Sequence, residues 1–191
     1  MDPALHPRFA QNRTIYFTYS KPGERGDTTT LASARFEGGT VSAVRDLFVA
    51  DAWSTAGGNS GSRIAFGLDG TIYMTVGERH EQTPAQDLRT HKGKILRLND
   101  DGTVPPDNPF VGRADARPEI FAYGVRNPQG LFIEPSSGTI WEHEHGPRRR
   151  RRAQLSSPAD TTTDGPRSRL ASTTTGRRSP TIPHAPEWIS P

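Results

Sequence analysis

The sequence predicts an all-β fold built from short strand–turn–strand units, followed from Arg148 by a segment of different character. Three observations carry this. Apolar, β-branched and aromatic residues recur in short runs bounded by turn residues. Gly and Pro, 36 residues together, interrupt the chain too often for long helices, and no helical period is present. One hairpin pattern occurs twice.

Thr14-Ile15-Tyr16-Phe17-Thr18-Tyr19 is the first strand. Leu31 to Phe36 and Val44 to Val49 follow as weaker ones. Arg63-Ile64-Ala65-Phe66, the turn Leu68-Asp69-Gly70, and Thr71-Ile72-Tyr73-Met74-Thr75-Val76 form a hairpin around an Asp-Gly turn. Lys94-Ile95-Leu96-Arg97-Leu98 ends at Asn99-Asp100-Asp101-Gly102, and Glu119 to Tyr123 is a further strand. The hairpin then returns as Leu131-Phe132-Ile133, the turn Pro135-Ser136-Ser137-Gly138, and Thr139-Ile140-Trp141-Glu142. In both copies Gly-Thr-Ile-aromatic opens the second strand. Repeated strand–turn–strand units point to propeller blades rather than a sandwich.

Charge divides at Pro147. Residues 1–147 hold 15 Lys and Arg against 18 Asp and Glu, whereas residues 148–191 hold 9 Arg and 3 acids. The basic excess therefore belongs to the tail, which excludes a basic nucleic-acid-binding fold for the body. The tail carries 7 Thr, 6 Ser and 6 Pro, and no Val, Phe or Tyr. Its few large apolar side chains do not offset the entropy of ordering it, so disorder is expected over 148–191. With no cysteine, disulfides and thiolate metal sites are excluded. No apolar run is long enough to insert into a membrane as a helix. Met1-Asp2-Pro3-Ala4 lacks the basic-then-apolar order of a signal peptide.

Four motifs bear on function. Arg126-Asn127-Pro128-Gln129-Gly130 follows a strand, where loops carry sites; it offers a guanidinium fork and an amide, or is an ordinary turn. In Glu142-His143-Glu144-His145 the strand pleat puts the glutamates on one face and the histidines on the other; two His make a weak metal site, and a polar strand edge is the plainer reading. Gly146-Pro147 presents backbone carbonyls of the kind calcium accepts. The Gly57-Gly58-Asn59-Ser60-Gly61 loop precedes a strand rather than a helix, so it is no phosphate cradle.

Taken together these segments resemble the soluble, pyrroloquinoline-quinone (PQQ)-dependent aldose sugar dehydrogenases, the glucose/sorbosone dehydrogenase family. The resemblance rests on Ala4-Leu5-His6-Pro7-Arg8-Phe9, Gly61-Ser62-Arg63, Ala85-Gln86-Asp87-Leu88, Gly93-Lys94-Ile95-Leu96-Arg97-Leu98, Asp107-Asn108-Pro109-Phe110, Tyr123-Gly124 with Arg126 to Gly130, and Glu144-His145-Gly146-Pro147-Arg148, in that order. It implies part of a six-bladed β-propeller, of about two to three blades. It implies oxidation of the C1 hydroxyl of an aldose to a lactone, with hydride passing to the quinone and on to an external electron acceptor. PQQ and Ca2+ are the implied cofactors, and a periplasmic or extracellular location is the implied setting. Arg126 and Asn127 would contact PQQ, and the backbone carbonyls of Gly146 and Pro147 would ligate calcium. The sequence departs from the family at its base: the family's catalytic His precedes Gly-Ser-Arg as Asn-His-Phe-Gly, and here Asn59-Ser60-Gly61 holds no His. The catalytic residue is therefore unknown, the chain reads as an inactive fragment, and a non-catalytic sugar- or calcium-binding propeller module is the alternative.

The tail also departs. The family continues Gly-Gly-Asp-Glu-(Leu/Ile)-Asn and later Tyr-Gly-Trp-Pro. Written with the permitted codons CGG CGG CGA CGA GCT CAA and a C next, Arg149 to Gln154 shifted by one base spell Gly-Gly-Asp-Glu-Leu-Asn. Written with the permitted codons ACT ACG GAT GGC CCG AGG, Thr162 to Arg167 started at the third base spell Tyr-Gly-Trp-Pro-Glu. The expectation is a tail read out of frame.

Overall fold

The computed structural model describes residues 1–145 and a strand at 151–156. They form three antiparallel sheets in series. The first runs β1 (Pro3–Leu5), β2 (Thr14–Gly23), β3 (Gly26–Glu37) and β4 (Thr40–Val49). The second runs β5 (Gly61–Phe66), β6 (Ile72–Val76), β7 (Lys94–Leu98) and β8 (Ile120–Tyr123). The third runs β9 (Pro128–Ile133), β10 (Ile140–His145) and β11 (Arg151–Ser156). Each sheet is a simple meander, and the first strands lie side by side, β1 on β5 and β5 on β9. This is the geometry of successive propeller blades around an axis.

Every strand read from the sequence is present. β2, β3 and β4 are longer than their apolar runs, because backbone pairing continues through polar residues such as Thr28-Thr29-Thr30. β1 was not legible: three residues, Pro3-Ala4-Leu5, between Asp2 and His6 have no pattern, and pairing Pro3 with Phe17 and Leu5 with Ile15 makes them a strand. Helix is confined to one turn, α1 (Phe9–Asn12), stopped by Arg13 at φ +55, and a 3-10 turn at Thr83–Gln86. Of the segment expected to be disordered, Arg151–Ser156 is β11; its backbone takes up the edge of β10, a pairing that needs no apolar side chain. The rest of that segment lies outside the described residues.

β6 shows how the sheets stack. All five of its residues are buried. Ile72, Met74 and Val76 join Tyr16 and Leu31 in the core between the first and second sheets. Tyr73 points the other way and joins Ile95, Phe121, Ile133 and Ile140 between the second and third. Its ring meets Phe121 edge-on at 5.0 Å. Each such side chain contributes roughly 1.5–3 kcal/mol by leaving water. Arg63 on β5 ties the sheets together, donating Nε to the Gln129 carbonyl of β9 at 2.7 Å and pairing with Asp2, just before β1, at 3.2 Å.

Candidate functional site

In a meander, even strands end and odd strands begin on the same rim. That rim gathers the loop before β5 (57–60), the turn after β6 (77–80), the loop between β8 and β9 (124–127) and the end of β10. The Asn59-Ser60 loop, Arg126-Asn127 and the end of the Glu142–His145 run meet there.

Glu144, buried on β10, reaches the β8–β9 loop: its Oε2 accepts the backbone N–H of Arg126 at 2.5 Å and of Asn127 at 3.2 Å. Asn127 is buried, and its Oδ1 accepts from Gly61 N at 3.1 Å and Gln129 Nε2 at 2.9 Å. That leaves Nδ2 as the donor of Asn127 without a partner among the described residues. The Arg126 carbonyl accepts Glu78 N at 2.8 Å. The Arg126 side chain stays 34% exposed, with Nε 4.0 Å from Glu78 Oε1. The loop backbone is thus fixed from two sheets, and it carries the Arg126 guanidinium and the Asn127 amide on the rim.

Glu78 was not legible as a site residue. Its carboxylate is buried; Oε1 accepts Asn59 Nδ2 at 2.5 Å, and Oε2 has no hydrogen-bond partner among the described residues. Leaving a buried acceptor unpaired costs about 1–3 kcal/mol. Strain accompanies it: Asn59, Arg79 and His80 all take positive φ, at +41°, +59° and +64°. Such conformations persist where their surroundings enforce them. Here the clamp is Arg79, fully buried, which donates to the Gly58 carbonyl at 2.9 Å, to Ser60 Oγ, and to Asp27 Oδ1 at 2.5 Å. Gly77 is required by the same approach, because a Cβ there would lie 1.9 Å from the Asn59 carbonyl oxygen.

Counting back from Gly61-Ser62-Arg63 through Asn-His-Phe-Gly puts the family's histidine at Asn59. The structure therefore sets an amide on the Glu78 carboxylate where the resemblance implies an imidazole. Neither downstream histidine stands in its place by contact. His91 is buried between the first two sheets, accepting Asp51 N at 2.8 Å and facing Glu119 at 3.3 Å. His80 is exposed on the rim, over Gly58.

The glutamates of Glu142-His143-Glu144-His145 are not a polar strand edge. β10 is flanked by β9 and β11, and its pleat turns Glu142 and Glu144 inward, where both are buried. Gly146 and Pro147, read as calcium ligands, lie outside the described residues. Among the described residues no three His, Asp or Glu are grouped to hold a metal ion. Lys94 is a further buried group on this rim. Its ammonium donates to the carbonyls of Pro84, Ala85 and Lys92 at 2.9, 3.1 and 2.6 Å, and burial pushes its pKa down to about 7.

Fold and rim together define a partial β-propeller with a polar site at one end of its strands. The chain belongs to the glucose/sorbosone dehydrogenase family, whose model matches residues 1–158. It is 38% identical over 151 residues to the aldose sugar dehydrogenase YliI of Escherichia coli, covering 78% of this chain and 41% of that protein. The crystal structure of the soluble aldose sugar dehydrogenase of Escherichia coli in its apo form superposes with a TM-score of 0.79 at 36% identity, over 82% of this chain and 46% of the other. The PQQ-bound aldose sugar dehydrogenase of Streptomyces coelicolor superposes with a TM-score of 0.68 at 26% identity, over 82% and 45%. The chain thus spans less than half the length of these relatives.

Proposed function

We propose that this chain carries the quinone-facing part of an aldose dehydrogenase site and lacks its proton acceptor. The observation that carries the reading is the Glu144 carboxylate fixing the backbones of Arg126 and Asn127 on the rim, with the Arg126 side chain 34% exposed there. PQQ is an anionic quinone, and a guanidinium one third exposed with an amide donor beside it fits such a group. Bound there, PQQ would supply the hydride acceptor, with calcium on the Gly146 and Pro147 carbonyls as Lewis acid. Arg126 would hold acidic oxygen atoms by charge-assisted hydrogen bonds, and Asn127 Nδ2 would orient a carbonyl.

The aldose hydroxyl must lose a proton, and Asn59 offers an amide with no useful basicity where the family has its histidine. General-base catalysis is worth roughly 10²–10⁴-fold. The chain therefore binds cofactor but turns over poorly, which favours the second reading, a sugar- or calcium-binding propeller module without redox activity. Titrating the chain with PQQ and calcium, followed by the quinone absorbance, tests the first reading; absence of saturable binding would overturn it. Aldose addition with an artificial electron acceptor then separates dehydrogenase from binding module. Export to the periplasm and an external acceptor belong to the same proposal.

The proposal extends to the tail, read as out of frame beyond residue 147. Resequencing the source DNA through the codon for Pro191 decides it: single-base shifts that restore Gly-Gly-Asp-Glu and Tyr-Gly-Trp-Pro support it, and a clean reading frame overturns it.

A further inference from the structure

The opposite end of the strands carries a second polar cleft. β1, β5 and β7 end there, and the segments 6–8, 67–71 and 99–100 that follow them enclose about 400 Å³ where the first sheet meets the second. That volume is ligand-sized, since small-molecule clefts hold roughly 300–1,000 Å³. Every lining residue belongs to the first two sheets, and none to the third sheet, the tail or the rim that carries Arg126.

The polar groups of this cleft are set by their neighbours. Arg8 N donates to His6 Nδ1 at 2.9 Å, which leaves Nε2 as the donor of that buried imidazole, facing Asp100 Oδ2 at 3.4 Å. Tyr16 stacks on the imidazole at 6.1 Å, and Phe66 meets it edge-on at 5.7 Å. The Tyr16 hydroxyl also fixes the Asp100 backbone, donating to its carbonyl at 2.9 Å. Asp100 is thus held from two sides, yet its side chain is 49% exposed and Oδ1 has no partner among the described residues. Across the cleft Asp69 accepts from Thr71 N and Oγ1 at 3.0 and 2.7 Å and from Arg97 at 2.7 Å. Arg8 is exposed and joins no ion pair among the described residues. Leu68, 64% exposed, adds an apolar side chain to the lining.

We propose that this cleft binds a neutral polyhydroxylated ligand, a sugar in its ring form. Two carboxylates, Asp69 and Asp100, are balanced by two guanidiniums, Arg8 and Arg97, so the lining selects neither an anion nor a cation by charge. No three His, Asp or Glu are grouped there to hold a metal ion. Strong acceptors and donors instead stand side by side, Asp100 Oδ1 and the guanidinium fork of Arg8. Adjacent hydroxyls of a sugar donate and accept at once, so they satisfy both, and hydrogen bonds to charged groups are the strong ones. The C–H face of the ring packs on Leu68. Because Asp69 and Asp100 are already fixed, little ordering opposes binding. The cleft shares no residue with the quinone site, so the two stand or fall separately.

Titrating the isotopically labelled chain 1–191 with glucose, followed by backbone amide shifts, tests this. The amides of Gly70, Thr71, Asn99 and Asp100 should move together and saturate. Asp100→Ala and Arg8→Ala remove exposed side chains, so the rest of the amide spectrum should stay as in the wild type. Each should weaken glucose binding roughly tenfold or more, the loss of one charge-assisted hydrogen bond. Gluconate and calcium chloride are the anionic and cationic probes, and neither should saturate these amides. No saturable shift with glucose, tighter binding of gluconate or calcium at the same amides, or a glucose response that survives both substitutions would each overturn the proposal.

Discussion

Asn59 Nδ2 donates to Glu78 Oε1 at 2.5 Å, and this bond joins the loop before β5 to the turn after β6. On the function proposed here, it puts a group that accepts no proton where the family has its base. Replacing Asn59 by His would put an imidazole beside a buried carboxylate, the pairing that holds a histidine in one tautomer and raises its basicity. With PQQ and calcium supplied, Asn59→His should raise aldose oxidation by roughly 10²-fold or more. Adding Glu78→Gln to that variant should remove most of the gain. Unchanged turnover in Asn59→His, with cofactor binding intact, would mean that position 59 does not govern proton transfer.

Glu144 is the second residue on which the site depends. Its two bonds to backbone N–H groups are charge-assisted and buried, and each is worth about 1.5–3 kcal/mol. Glu144→Ala should therefore weaken PQQ binding at least tenfold by freeing the β8–β9 loop, and should lower stability by about 3 kcal/mol or more. Glu144→Gln keeps one acceptor and should fall between. Cofactor titration and denaturant unfolding measured on the same samples check both.

Much of this was legible. The apolar runs and the two Gly-Thr-Ile-aromatic hairpins located the strands, and the repeat order located the sheets. The Arg126-Asn127 motif was read as a loop following a strand, and the β8–β9 loop is where it lies. Glu78 and Arg79 were missed, since Gly77-Glu78-Arg79-His80 reads as a polar turn and only the close approach of the 57–60 loop buries it. Glu142 and Glu144 were misread because their burial depends on a sheet pairing far away in sequence. β1 escaped for the same reason.

That close approach makes Gly77 a sensitive position. A methyl at Gly77 would lie 1.9 Å from the Asn59 carbonyl oxygen and 2.5 Å from its carbon, both backbone atoms that no rotamer change moves away. Gly77→Ala should cost about 2 kcal/mol or more through backbone displacement. The same substitution at Gly70, where a Cβ meets nothing within 4 Å but φ is +83°, should cost only about 1 kcal/mol. Paired unfolding curves check the ranking.

Lys94 gives the fold a pH dependence of known sign. Burial lowers its pKa from 10.5 to about 7, with Asp87 partly opposing. Below pH 7 the amine is protonated in both states, and the folded state bears the cost of a buried ammonium. Between about 7 and 10.5 the unfolded chain still binds a proton that the folded chain has released, so stability rises with pH across that interval. Above pH 10 the Tyr16 phenol, pushed up to about 12 by burial, works in the opposite direction, because its folded form resists ionisation. The informative window is therefore pH 7 to 9.5. Unfolding free energy of the wild type should climb there by a few kcal/mol. In Lys94→Met the slope should vanish. At pH 9 and above the variant should be the less stable protein, since the carbonyls of Pro84, Ala85 and Lys92 lose their shared donor. A flat wild-type profile over this window would show that the three carbonyls hold the ammonium charged inside the fold.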